Sequence, residues 1–340
     1  MNSIYGMTLE NLENYFISLN EKKFKAVQVF EWLYKKKANN FDEFTNLKKE
    51  TIEMLKKTFT FRTIKLITKL TDKDVSKYLF ELSDKNKVEA VLMHHDYGKS
   101  LCVSTEVGCN MGCAFCESGR LKKVRPLQVN EMVEQIILIE EIEKLKISHV
   151  VLMGIGEPFD NYDNVISFID IINSGKGLDI GSRHITVSTC GLVPKIKEFT
   201  SYDKQVNLAI SLHAPNNELR NKIMPINKAY PLEQLISTLK EYISKTNRRV
   251  TFEYIMLDDV NDSSVHALEL VKLIKGMNAY VNLIPYNETS HIEFKRASNE
   301  KILKFYDILK KNKINVTIRK EFGHKVKAAC GQLRSNYEEV

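Results

Sequence analysis

Along the first sixty or so residues, apolar positions recur at threes and fours: Leu9, Leu12, Tyr15, Phe16 and Leu19, then Val27, Phe30, Leu33 and Tyr34. That period is helical. With a polar break at Asn39 and Asn40 and a further helix through Thr51–Phe59, it predicts a small helical module. Over residues 63 to about 93 the period drops to two in IKLITKL, KYLFELS and VEAVLM, with turn formers at 72–74 and 84–86, so this stretch reads as strands. From residue 100 short apolar runs alternate with helical stretches. The runs are LCVST (101–105), HVVLMG (149–154), HITVST (184–189), VNLAISLH (206–213), VTFEYIML (250–257) and YVNLIPYN (280–287). Helical patterns fill 129–145, 160–173, 231–245, 262–275 and 297–312, and the last leads into a seventh run, NVTIR (315–319).

Strands apolar on both faces, separated by helices, predict a parallel sheet with helices outside. Six repeats are too few for the usual eight-stranded barrel. The expected class is therefore α/β, a partial (β/α)6 barrel whose chemistry sits at the C-terminal ends of its strands. The organisation expected from these patterns is a helical accessory domain over 1–62, a β-rich connector over 63–94, a barrel core over 95–325 and a C-terminal segment over 326–340.

Composition narrows the class. Hydrophobic residues make up 43% and charged residues 27%, a globular balance. No apolar run is long enough to cross a bilayer, and the N-terminus lacks the basic start and apolar core of a signal peptide, so a cytoplasmic protein without a membrane partner is expected. The formal charge of +7 is uneven: residues 21–70 carry 13 Lys/Arg against 6 Asp/Glu. Such a segment can hold a polyanion through its phosphates, or it can be a solvated helix surface. Charge does not decide between them.

The six cysteines are at 102, 109, 113, 116, 190 and 330, and four of them fall within fifteen residues. In a long cytosolic chain this suggests metal or redox chemistry more than a disulfide scaffold. Cys109, Cys113 and Cys116 have the spacing C-x3-C-x2-C on a loop after the first barrel strand. Three thiolates can ligate three irons of a [4Fe–4S] cube and leave the fourth iron open. Structural zinc normally takes four ligands, often from two CxxC pairs, and no second pair follows. Taken singly, Cys102, Cys190 and Cys330 read as buried small hydrophobes. Glu89 reads as a strand glutamate facing water, and His213 as a hydrogen-bonded structural histidine.

The cysteine motif at the end of the first strand resembles the radical S-adenosylmethionine (SAM) superfamily. The resemblance implies that SAM chelates the open iron and is cleaved by one electron to methionine and a 5′-deoxyadenosyl radical. In Met153-Gly154-Ile155-Gly156-Glu157-Pro158 it makes Gly156 and Glu157 SAM-binding positions, Glu157 receiving the methionine ammonium. The motifs LCVSTEVGC, MGIGEP, VSTCGLVP, LAISLHAP, IMPINKAYP, VTFEYIMLDDVND, VNLIPYN and AACGQL occur in order over 101–333. Together they resemble the RlmN/Cfr family of RNA adenine methyltransferases, and FKAVQVFEWLYKKKANNFDEFTNL resembles that family's helical RNA-binding module.

The resemblance carries further expectations. Ser188, Ser211, Leu212, His213 and Asn287 match SAM contacts. Cys330 would accept a methyl group from a first SAM, and a second SAM would supply the radical, making two per turnover. Cys102 would resolve a protein–RNA adduct by forming a transient disulfide with Cys330. Glu89 matches the family's proton acceptor. The substrates implied are 23S rRNA, at C2 of an adenosine in the peptidyl-transferase centre, and tRNA, at the adenosine 3′ of the anticodon. A one-electron reductant such as flavodoxin or ferredoxin is implied too, as is a monomer. The alternatives are C8 methylation of the rRNA adenosine, as in the Cfr branch, and a non-catalytic metal-stabilised RNA-binding protein. The loop Glu117–Pro126 departs from the family's common pattern, and it would lie near both cluster and RNA.

Overall fold

In the computed structural model of the chain, residues 2–289 and 291–319 are described; Ser290 and everything from Lys320 on, Cys330 included, lie outside them. The N-terminal module holds α1 (Leu9–Ser18), α2 (Phe24–Tyr34) and α3 (Lys49–Thr58). Thr8 begins α1, its hydroxyl accepting the Asn11 N–H at 3.1 Å, one of the donors a helix start leaves unpaired. The helical period places Leu12 and Phe16 of α1, Val29, Phe30 and Leu33 of α2, and Leu55 of α3 in one buried cluster.

One ten-stranded sheet follows. Its strands are β1 (Lys65–Asp72), β2 (Val75–Glu81), β3 (Lys87–His95), β4 (Gly98–Cys102), β5 (His149–Leu152), β6 (Ile185–Thr189), β7 (Asn207–Ser211), β8 (Val250–Met256), β9 (Ala279–Pro285) and β10 (Val316–Ile318), and each pairs with the next in sequence. From β4 to β10 every pairing is parallel, and from β1 to β4 every pairing is antiparallel. Parallel neighbours need crossovers, which are supplied by α4 (Val129–Glu143), α5 (Tyr162–Asn173), α6 (Val193–Phe199), α7 (Asn217–Ile223), α8 (Leu232–Thr246), α9 (Ser264–Ile274) and α10 (Asn299–Lys311). This is the α/β partial barrel that the strand–helix alternation predicts. The two seven-residue helices α6 and α7 are additions to that reading.

The stretch read as a connector is continuous with the barrel: β3 pairs β4 in a register that sets Val91 opposite Cys102 and Leu92 opposite Leu101. Side chains alternate faces along a strand, so Glu89 and Val91 share the inner face with Cys102. A second tie joins the helical module to the barrel. Glu134 of α4 is buried, and its carboxylate accepts the N–H groups of Thr63 (2.7 Å) and Ile64 (3.1 Å) and the hydroxyls of Ser3 (3.2 Å) and Thr63 (3.1 Å). No helix among the described residues is long and apolar enough to cross a membrane.

Candidate active site

The cysteine loop leaves β4 and turns twice through left-handed backbone, at Gly108 (φ +75°) and Gly112 (φ +62°). A Cβ on Gly108 would stand 2.2 Å from the Lys122 carbonyl oxygen, because the returning strand lies against it. That contact lets Cys109 N–H donate to Leu121 (3.0 Å) and Val124 N–H donate to Val107 (2.8 Å). The return strand is clamped by charge. Lys123 pairs with buried Glu106 (2.5 Å) and with Asp160 (2.7 Å), and Arg125 pairs with Glu131 (2.7 Å) and Asp84 (2.6 Å). The unusual Glu117–Pro126 segment is thereby held on the rim of the barrel mouth.

Cys109, Cys113 and Cys116 line one pocket with Gly156, Glu157, Ser188, Ser211 and His213. Burial pushes the Cys109 thiol up to about 12 and raises Cys113 and Cys116, and the Cys116 charge adds to the cost at Cys109 and Cys113. Outside Asp258, Asp259 and Asp262, no three His, Cys, Asp or Glu ligand atoms among the described residues lie within 4.8 Å of one another. A tetrahedral zinc with bonds of about 2.3 Å would hold its sulfurs about 3.8 Å apart. The loop therefore fits a cluster with larger span better than one ion. The aspartate trio already surrounds Lys301 Nζ, at 2.7, 2.5 and 3.3 Å.

Opposite the thiols stands Glu157. Its carboxylate accepts the N–H of Cys190 (2.7 Å) and of Phe159 (3.1 Å), while full burial raises its pKa above the usual carboxylate range. A carboxylate in this state gains most from an ammonium partner, such as that of methionine. Gly156 (φ +108°) is required where it is, since a Cβ there would come within 2.6 Å of the Glu106 side chain. Ser188 ends near the top of β6 and Ser211 at the top of β7. Leu212 contributes main chain: its N–H donates to Glu253 O (3.1 Å) and its side chain joins the core. Leu212 and Asn287 do not line the pocket. Asn287 stands at the same rim, just past β9, buried and with no hydrogen-bond partner for its Oδ1 among the described residues.

His213 adopts a left-handed conformation (φ +58°). Its Nδ1 accepts the Ile255 N–H at 3.1 Å, so the neutral ring carries its proton on Nε2. The ring meets Phe115 of the cysteine loop edge to face at 4.7 Å. Burial, with the Arg220 charge nearby, lowers the His213 pKa to about 3. Unfolded, the ring titrates near 6.5, so below that pH the unfolded chain gains a proton that the native ring refuses. The stability of cluster-free protein owed to this ring is full above pH 6.5 and is lost as pH falls towards 3. Urea denaturation of wild type and His213→Asn at several pH values should show their difference shrinking by about 1.4 kcal/mol per pH unit below 6.5. A difference independent of pH would show that His213 ionises normally in the folded protein.

Glu89 is only 4% exposed and pairs with Lys77 at 2.8 Å, so it does not face water as its sequence context alone suggests. Its carbonyl accepts the Ser104 hydroxyl (2.6 Å), which places it at the level where β4 opens into the cysteine loop. Cys102 lies on the same inner face, packed with Val91, Met93 and Ile155. Cys330 is outside the described residues. Glu253 and Arg220 carry no sequence signal, while Cys190 is buried as its sequence context suggests. Glu253 lines the floor of the pocket, taking a hydrogen bond from Asn282 (2.9 Å) with Arg319 at 4.0 Å. Cys190 lines the same pocket. Arg220 lies fully buried behind it.

Comparison with known proteins returns two family profiles. Residues 103–271 match the one described as the radical SAM superfamily, and residues 2–61 match the ribosomal RNA large subunit methyltransferase N-terminal domain. The chain is similar to a probable dual-specificity RNA methyltransferase RlmN of Enterococcus faecalis, with 55% identity covering 98% of this chain and 96% of the relative. The protein of the same description from Spiroplasma citri is 52% identical, covering 100% and 99%. The crystal structure of a radical SAM methyltransferase from Sphaerobacter thermophilus superposes with a TM-score of 0.94 at 37% identity, covering 99% of this chain and 100% of that one.

Proposed function

The chain belongs to the RlmN/Cfr family of radical SAM RNA methyltransferases, and from that premise we propose that it methylates C2 of an adenosine in 23S rRNA and of the adenosine 3′ of the anticodon in tRNA. One observation carries the reading. The three-cysteine loop, the pocket of Glu157, Ser188, Ser211 and His213, and the inner face bearing Cys102 and Glu89 all meet at one barrel mouth. The dual specificity named for the relatives supports a substrate in both RNAs.

Cys109, Cys113 and Cys116 hold the [4Fe–4S] cluster, and Gly156, Glu157, Ser188, Ser211, Leu212, His213 and Asn287 hold SAM. With an electron from a reductant such as flavodoxin or ferredoxin, these groups when bound would supply the radical chemistry that activates the methyl group carried on Cys330. The chain's own residues do the rest. C2 of adenine is electron-poor and cannot displace the methyl of SAM, whereas the Cys330 thiolate can. The activated methyl carbon on Cys330 becomes bonded to C2 of the base; the unpaired electron of that adduct would return to the oxidised cluster, and Glu89 takes the proton leaving C2. Cys102, as thiolate, attacks the Cys330 sulfur, forming a disulfide as the carbon–sulfur bond to the RNA breaks, and the electron pair left on that carbon takes up a proton to complete the methyl group. Each turnover uses two SAM, one for the methyl and one for the radical, and ends with a disulfide to be reduced.

The test is anaerobic incubation of reconstituted enzyme with SAM, reductant and protein-free 23S rRNA or bulk tRNA, then nucleoside mass spectrometry. A 2-methyladenosine product that vanishes in Cys330→Ala is expected. An 8-methyladenosine product would move the chain to the chemistry of the Cfr branch. If neither forms while SAM is still cleaved to 5′-deoxyadenosine, the assigned substrate is wrong.

A further inference from the structure

Arg220, on α7, has 0% of its surface exposed. Its guanidinium donates to the carbonyls of Cys190 (2.7 Å), Ser211 (3.1 Å) and Leu212 (3.1 Å) and to Oδ1 of Asn227 (3.0 Å). All four acceptors are neutral, and among the described residues no carboxylate lies within ion-pair distance of it. Burying a guanidinium without a counter-charge is strongly unfavourable, and neutral donors could satisfy those carbonyls at less cost. The fold has nonetheless closed a permanent cation into this position.

The helix that carries it leans on the cysteine loop. The Ala114 N–H, between Cys113 and Cys116, donates to the Ile223 carbonyl at the end of α7 (2.9 Å). Ile223 and Met224 pack in one cluster with Phe115 and Cys190, against Cys113 and Cys116. Cys190, whose carbonyl takes the shortest of the Arg220 bonds, lines the pocket with the three thiols. Burial lowers the pKa of Arg220 itself to about 10, which leaves it protonated at neutral pH.

We propose that Arg220 is the counter-ion of the iron–sulfur cluster: a fixed, water-excluded positive charge that offsets the thiolate-bound cluster and makes its one-electron reduction easier. The inference rests on Cys109, Cys113 and Cys116 holding that cluster. A [4Fe–4S] core on three thiolates is net negative, and reduction adds one more negative charge. A fixed cation in a low-dielectric wall favours the more negative state, so it raises the reduction potential. By tying together the loops after β6 and β7, Arg220 also positions the SAM pocket. The experiment must separate charge from tie.

Redox titration of the anaerobically reconstituted protein, followed by the paramagnetic signal of the reduced cluster, reads the charge directly. Arg220→Gln keeps a donor and removes the charge. Its cluster should be at least about tenfold harder to reduce, ~59 mV more negative for a one-electron couple. Asn227→Asp keeps Arg220 but sets a carboxylate against its Nη1, and should shift the midpoint in the same direction. Arg220→Lys keeps the charge and loses the fork, so its midpoint should stay close to wild type even as SAM affinity falls. Iron and sulfide analysis of the same samples shows whether each carries a full cluster. A wild type unable to hold one would strike the cysteine-loop reading and not this one. Unmoved midpoints in fully loaded Arg220→Gln and Asn227→Asp would overturn the proposal and leave Arg220 a structural tie. So would equal shifts in the Lys and Gln variants. Should Arg220→Gln fail to load, Asn227→Asp decides the matter by the same criterion.

Discussion

Cys113→Ala should abolish SAM cleavage and RNA methylation together while leaving the barrel folded. The cysteine loop is shaped by its main chain: Cys116 N–H donates to the Cys113 carbonyl (3.1 Å) and Ala114 N–H to Ile223 (2.9 Å). Alanine preserves both bonds. It removes one of the three thiols assigned to the cluster, and with it the electron delivery on which the radical would depend. Cys190 complicates the result, since it lines the same pocket and its thiol feels the Cys113 charge. A thiol that near can stand in as a ligand. The double variant Cys113→Ala, Cys190→Ala is therefore the decisive control. It should retain the circular dichroism of wild type, bind no stoichiometric iron and form no 5′-deoxyadenosine. A full cluster in the double variant would mean that the thiols at 109 and 116 suffice, and the three-ligand assignment would fail.

Cys102→Ala should do something different: form product about a thousandfold more slowly or worse, as expected when one member of a catalytic set is removed, and accumulate enzyme covalently joined to RNA. Everything upstream of resolution remains intact. Cys102 packs in a small apolar cluster with Val75, Val91, Met93 and Ile155, against which Val151 and Met153 also lie. Alanine in that small cluster deletes only a sulfur, so little structural disturbance follows. Denaturing gel electrophoresis after incubation with SAM, reductant and RNA should show a slow band that ribonuclease collapses. The band should be absent in the double variant with Cys330→Ala. Normal turnover by Cys102→Ala would remove it from the mechanism and send the search for the resolving thiol elsewhere.

How much of this was legible beforehand depended on how local each signal is. The three cluster cysteines announce themselves within eight residues, and Gly156-Glu157 follows a recognisable strand. Long helices such as α4 and α8 show several turns of apolar period. The helices α6 and α7, two turns each, offer too few positions for a period to emerge. The pairing of β3 with β4 is not legible in the sequence, because a hairpin announces its turn but not the sheet it extends. Arg220 was hidden for a stronger reason. In sequence it is one more charged residue on a polar helix, and arginine is ordinarily exposed. Its acceptors are main-chain oxygens, and the shortest bond reaches back thirty residues to Cys190, a separation that no pattern encodes. Glu89 was legible as a candidate only through resemblance, since its burial depends on β2 and Lys77.

The carboxylate of Glu134 has a mechanical consequence. Because it gathers donors from Ser3, Thr63 and Ile64 at the root of a barrel helix, the basic helical module is bolted to the catalytic body and does not dangle from a leash. A flexible arm would let the protein follow the shape of whatever it grips. A rigid arm makes the protein a caliper, with a fixed span between the grip and the mouth. An RNA held at both ends of that span has to do the bending itself, and only strands that can yield at the right distance would present a base to the pocket.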